Sequence, residues 1–236
     1  MTGAGHVVPV GGPRSKREFE LPEKDPEQIK RATRILTALK KRYPDVRCEL
    51  DFKNTHELLV ATILSAQATD IGVNKATPAL FERFPAPADY LDVTVEDVQP
   101  YLRTLNFWRN KAKSVHATML HLHEHHAGEV PRTMNELLAL RGVARKTANV
   151  VLGNAFGINN GVVVDTHVGR LARRFELTHH EDPVKVERDL MALFPRPSWC
   201  ILSHLFIFHG RRVCKARGAL CGDDAICRRY CLNAST

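Results

Sequence analysis

The chain has 236 residues, 44% hydrophobic and 25% charged, which excludes a disordered chain and is enough for a substantial buried core. Thirty-four lysines and arginines against 26 acids give a formal charge of +8, which suits a polyanionic partner. No apolar run is long enough to span a bilayer and no signal-like apolar segment opens the chain, so a cytoplasmic protein without a membrane partner is expected. In that compartment six cysteines argue for a metal site or buried thiols rather than disulfides.

Residues 1–25 begin rich in Gly, Pro, Lys and Arg, lack helical periodicity and read as a flexible basic arm. Asp25-Pro26 opens the first helix, with Asp25 as N-cap and a stripe of Ile29, Ala32, Leu36, Leu39 and Tyr43; Pro44 ends it. Asn54 with Glu57 reads as a capping box. The helix behind it, Leu58 to Ala66, is apolar nearly all round and so is expected at the centre of the fold. It runs into Gln67-Ala68-Thr69-Asp70, polar residues that are either caps or a site at the rim of the core. By spacing alone Gln67 is a capping residue.

Short helices follow at about 72–83, 87–91 and 94–103. Leu105-Asn106-Phe107-Trp108-Arg109-Asn110-Lys111 then forms a turn before a helix of about 109–126. Exposed, its two aromatics would be a stacking wedge with Arg109 and Lys111 as phosphate anchors; otherwise both pack inward. That helix ends in His121-Leu122-His123-Glu124-His125-His126, which contains His-x-x-Glu-His. Zinc chemistry is rejected there, since no further acidic ligand helix is identifiable and histidines complement a helix C-terminus.

Thr133 and Glu136 cap a short helix that runs into Leu140-Arg141-Gly142-Val143-Ala144. Arg145-Lys146 opens the next helix, which extends to about Phe156. Gly142 allows a tight turn and close backbone approach. The unpaired N–H groups after it favour a phosphate. The same positive helix end disfavours a charged ammonium at Lys146 and should lower its pKa, and a free amine is a nucleophile towards a sugar carbon. Asp165 precedes Thr166-His167 and reads as an N-cap, held where a carboxylate can act as base or electrostatic partner. The arginines behind it, Arg170, Arg173 and Arg174, read as a solvated face. Asp182-Pro183 caps a helix to Phe194, and Ser198-Trp199 opens a last long apolar one. Cys214, Cys221, Cys227 and Cys231 close the chain in a short basic tail, a thiolate set for zinc or for iron–sulfur. Cys48 and Cys200 read as buried thiols. No strand alternation is found.

Three of these stretches occur together in one known order: Leu-Ser-Ala-Gln-Ala-Thr-Asp at 64–70 with Val73-Asn74-Lys75-Ala76, the hairpin through Gly142 to Asp165, and the cysteine tail. From about residue 26 onward the chain resembles the endonuclease III family of DNA glycosylases. That family's hairpin reads Leu-Pro-Gly-Val-Gly, so Arg141 and Ala144 depart from it. Its tail reads Cys-x6-Cys-x2-Cys-x5-Cys, where this chain has Cys-x6-Cys-x5-Cys-x3-Cys.

The resemblance implies an all-α, two-lobed helix-hairpin-helix DNA glycosylase fold with a C-terminal iron–sulfur cluster loop. A six-helix barrel of 48–158 would sit between residues 26–47 and 159–236, which form the cluster domain. It implies Lys146 and Asp165 as the catalytic pair, Asp70 and His167 as pocket residues, and Gln67 and Phe107 as the residues that fill the gap left by an extruded nucleotide. Arg141, Gly142, Ala144, Arg145, Lys111 and Arg211 would contact DNA. The four tail cysteines would hold a 4Fe–4S cluster. The expected protein is a monomeric base excision repair enzyme, nucleoid-associated in a bacterium, that removes oxidised pyrimidines from duplex DNA and nicks the strand. A non-catalytic DNA-binding relative would need neither Lys146 nor Asp165, and a monofunctional glycosylase would usually lack the lysine.

Overall fold

The computed structural model describes residues 20–234, and every regular element among them is helical. The basic arm expected over 1–25 lies outside these residues except for its last six. Of those, Lys24 is pinned, its ammonium 2.6 Å from Asp189.

Helix α1 spans Pro26–Arg42, and its N-cap Asp25 accepts from the Glu27 N–H. Its buried stripe is Ala32, Ile35, Leu36 and Leu39, whereas Ile29, expected inside, is 40% exposed. Spacings of three and four residues set one face, and Ile29 falls at its solvated edge. Helix α2 spans Thr55–Leu64 and buries every residue from Glu57 to Leu64, as an all-round apolar helix must. Asn54 accepts from the Glu57 N–H at 2.9 Å, but the Glu57 carboxylate reaches the Lys53 N–H rather than that of the cap. Helix α3 is Asp70–Arg83, beginning two residues earlier than expected because Thr69 Oγ1 caps the Gly72 N–H. A 3-10 turn at Pro87–Tyr90, α4 (Val95–Leu102) and α5 (Trp108–His126) follow.

Helices α6 (Met134–Ala139) and α7 (Arg145–Phe156) form the hairpin, and α8 is Thr166–Arg174. Then come α9 (Pro183–Leu193), α10 (Trp199–Arg212) and α11 (Ala225–Tyr230). Asp165 and Asp182 cap α8 and α9 as expected.

Buried side chains fall into two clusters. One gathers residues between Leu50 and Leu152, with α2 against α3, α5 and α7. The other joins α1 to α8, α9, α10 and the cysteine tail. Helices α7 and α10 touch across the boundary, and the cavity of interest lies there.

Candidate active site

One face of α7 and one face of α10 line a cavity of about 170 Å³. Lys146, Val150 and Asn154 recur every fourth residue along α7; Cys200, Ser203, His204, Ile207, Phe208 and Arg211 recur at helical spacing along α10. Residues 47–50 and the end of α2 with Asp70 complete it. Lys146 and Asp165 therefore open on one space. Lys146 is exposed, in the first turn of α7. Asp165 is anchored twice: its carboxylate accepts from the Val168 N–H at 2.8 Å, and two residues earlier the Val163 N–H donates to Ser203 on α10 at 3.0 Å.

The sequence reading missed Glu49, Asn154 and His204 as lining residues, although the α7 and α10 periodicities carried the signal for the last two. His204 bonds Asn154 at 2.8 Å, and burial pushes its pKa down. Cys48 and Cys200, expected buried, are half-buried and line this cavity; burial still raises both thiols, Cys200 to about 11. Asp70, named from the resemblance as a pocket residue, lines this cavity. His167 is not among the lining residues; Arg170 donates to its Nδ1 at 3.1 Å.

A second cleft lies next to the hairpin, lined by Ile63, Ala66, Gln67, Phe107, Asn110, Lys111, Ser114 and Gly142. Gln67 and Phe107, forty positions apart, meet here, and the Asn106 amide donates to the Gln67 carbonyl at 3.3 Å. Both have left-handed backbones, with φ of 54° and 57°. Phe107 is 60% exposed, while Trp108 packs on the first core, so the two aromatics split the two readings between them. Gly142 also has positive φ, 81°, and a Cβ there would stand 2.9 Å from Ser114 Cβ. Thr118 on α5 donates to the Arg141 carbonyl at 2.9 Å and fixes the turn from below. Ala144 sits at φ −96°, which any residue adopts, so the departure from glycine there brings no backbone strain. As N-cap it offers no side-chain acceptor, so it makes no side-chain cap bond to the first-turn N–H groups of α7.

Three expected DNA contacts are placed differently. Lys111 is 5% exposed, its Nζ has no hydrogen-bond partner, and burial lowers its pKa. It is too enclosed to meet a phosphate as a surface anchor. Arg145 turns its guanidinium back onto Glu187 of α9, at 2.9 and 3.1 Å. The same Glu187 explains Gly161 in the loop before Asp165, since a Cβ there would collide with its carboxylate. Arg211 bridges Asp70, at 2.8 Å, and Glu49, while Arg212 holds the other Glu49 oxygen at 3.1 Å. Burial alone would raise the Glu49 carboxyl, but the two guanidiniums outweigh it and hold it below its ordinary value.

The tail cysteines are all buried, and their sulfurs lie within 4.8 Å of one another. Cys214 Sγ is 3.8 Å from that of Cys231, which is 4.0 Å from that of Cys221. Hydrogen bonds from Cys227 and Cys231, with Arg174 in support against burial, favour the thiolate at Cys214. The Arg174 Nη1 lies 3.1 Å from that sulfur, and Arg170 donates to the Cys214 carbonyl at 3.2 Å. Arg170 and Arg174 are thus not a solvated face; they bind the cysteine loop. Four buried soft donors with a guanidinium to offset their charge fit a metal centre.

Residues 60–196 match the family of HhH-GPD superfamily base excision DNA repair proteins. Over 193 residues the chain is 52% identical to endonuclease III of Synechocystis sp., covering 82% of this chain and 88% of that protein. The chain belongs to the endonuclease III family. Endonuclease III of Escherichia coli is 42% identical over 192 residues, 81% of this chain and 90% of that protein. A non-covalent endonuclease III–DNA complex superposes with a TM-score of 0.82 at 39% identity, covering 88% of this chain and 96% of its own. A trapped covalent endonuclease III–DNA intermediate gives the same TM-score and identity, covering 97% of that chain. The all-α fold expected from the family's motifs is the fold observed. Among the described residues no helix is long and apolar enough to cross a membrane.

Proposed function

We propose that this endonuclease III family member is a base excision repair DNA glycosylase and abasic-site lyase that removes oxidised pyrimidines from damaged duplex DNA. The observation that carries the proposal is the meeting of Lys146 and Asp165 on one cavity beside the cleft that joins Gln67, Phe107 and Gly142. A base must leave the stack to be reached. Gln67 and Phe107 are side by side to fill the gap, and the cavity between α7 and α10 takes the extruded nucleotide. The open N-terminus of α7, with the backbone at Gly142 and Ala144 and the exposed Arg141, holds a phosphate.

Lys146 as free amine attacks the sugar C1′. The N–C1′ bond forms, the glycosidic bond breaks, and the base leaves with the electron pair and takes up a proton. The ring opens to a protonated Schiff base. Loss of a C2′ proton then expels the 3′ phosphate by β-elimination, and water releases the lysine. Asp165, fixed by Val168, stabilises the positive charge on the sugar and helps to deprotonate the amine.

The two cores are proposed as two lobes, 48–158 and 26–47 with 159–236, with the DNA in the groove between them. Cys214, Cys221, Cys227 and Cys231 are proposed to hold a 4Fe–4S cluster, which when bound supplies a one-electron couple and a cross-link that orders the tail. Lys215 and Arg217, exposed beside it, then remain for phosphates. Iron and acid-labile sulfide analysis tests this assignment.

Borohydride trapping on a duplex with one oxidised pyrimidine, beside an abasic duplex, tests the enzyme. Adducts on both, lost in Lys146→Gln, are expected. An adduct on the abasic duplex alone would refute oxidised pyrimidines as the substrate, and none on either would refute the lysine chemistry.

A further inference from the structure

The displaced third cysteine of the tail has a structural explanation. Asp224, three residues beyond Cys221, caps α11: its Oδ1 accepts from the N–H groups of Ile226 and Cys227, both at 2.9 Å. The helix so started carries Cys227 inward, and Cys231 follows as its C-cap. The sulfur of Cys227 faces His209 of α10, with Nε2 3.3 Å from Sγ. His209 is fully buried, and its Nδ1 lies 2.8 Å from the hydroxyl of Tyr43, the C-cap of α1. The Asp224 carboxylate stands farther off, 4.0 Å from Nε2, and is already engaged with the helix start.

With the thiolate bound to metal, these contacts would fix the proton's place. A metal-bound thiolate has no proton to give, so Nε2 donates to the sulfur and Nδ1 accepts from the tyrosine hydroxyl. One ring thereby ties α1, α10 and α11 together at a ligand sulfur.

We propose that His209 is the positioning residue for Cys227, holding it as the third thiolate of the metal centre by an Nε2–H···S hydrogen bond braced by Tyr43. This rests on the cluster reading above. A hydrogen bond to a ligand sulfur draws electron density from the metal and raises the reduction potential. Loss of such an outer partner typically weakens metal binding by about 10–100-fold.

The full-length protein is compared with His209→Leu, His209→Gln, Cys227→Ser and Asp224→Asn. The readouts are iron per chain, visible absorption, reduction potential and the rate of iron loss to a chelator. Asp224→Asn, which keeps a capping side chain, should retain its iron, and Cys227→Ser should not. His209→Leu should have a more negative potential and lose iron about tenfold faster; His209→Gln, which keeps an N–H donor, should recover much of both. If His209→Leu does not fold, Tyr43→Phe should shift the same two readouts in the same direction, by less. Wild-type potential and release rate in the folded His209 or Tyr43 variant would overturn the proposal. So would iron retained in Cys227→Ser but lost in Asp224→Asn. Wild-type protein without iron would instead overturn the cluster reading, and the proposal with it.

Discussion

Lys111 sits in the cleft between Gln67, Phe107 and the hairpin with its ammonium buried and unpaired. Burying a neutral polar group without a partner costs about 1–3 kcal/mol in proteins and an ammonium more, and the protein limits that cost by favouring the amine. The folded protein therefore binds fewer protons than the unfolded chain between the lowered pKa and the ordinary value of 10.5. Stability should rise with pH across that window, and the penalty is fully present below it. Lys111→Met keeps the stem and removes the charge. It should stabilise the protein by about 1–2 kcal/mol at pH 7 and flatten the rise that the wild type shows below pH 10.5, as read by urea unfolding. The sequence could not disclose this burial. A lysine in a turn beside Arg109 has the same local signature whether it faces solvent or the back of a distant helix.

Among the elements, the hairpin is closely specified by its neighbours. Gly142 needs positive φ and leaves no room for a methyl group against Ser114 of α5. Gly142→Ala should thus cost about 1–3 kcal/mol, seen as a lower melting temperature, and should weaken duplex binding with it. Element boundaries were readable where a cap made them local: Asp25-Pro26, Asn54, Thr133, Asp165 and Asp182-Pro183 each start a helix where expected. The lysine and aspartate proposed as the catalytic pair stood out in the sequence because a helix start and a cap sit next to them in the chain. Partners at long range were not. Arg145 and Glu187 are 42 positions apart, Gln67 and Asn106 are 39, and no periodicity in either segment points to the other. Arg170 and Arg174 looked solvated because the cysteine loop they bind is some 40 residues further on.

At the scale of the molecule, Glu49 and Asp70 of the first half meet Arg211 and Arg212 at the end of α10, across the cavity. The Glu49 carboxyl is held below its ordinary value of 4.5. Its contribution is therefore present above that value and is lost as pH falls through the lowered pKa. Thermal melts from pH 7 down to pH 3 should show the wild type losing more stability than Glu49→Gln over the acidic end.

The same cross-cavity pairs reach into the thermodynamics of binding in salt. Only a cation that is free to neutralise a phosphate releases a condensed counterion from the duplex. Arg211 and Arg212 already have carboxylates of their own, and Arg145 has Glu187. Affinity for undamaged duplex should therefore fall with added salt less steeply than a net charge of +8 suggests. Removing the carboxylate at Glu49 frees Arg212, so Glu49→Gln should steepen the slope of log K against log salt by about 1. The ion pairs across the cavity should thereby keep nonspecific grip low, and a protein held loosely by intact DNA dissociates readily between lesions.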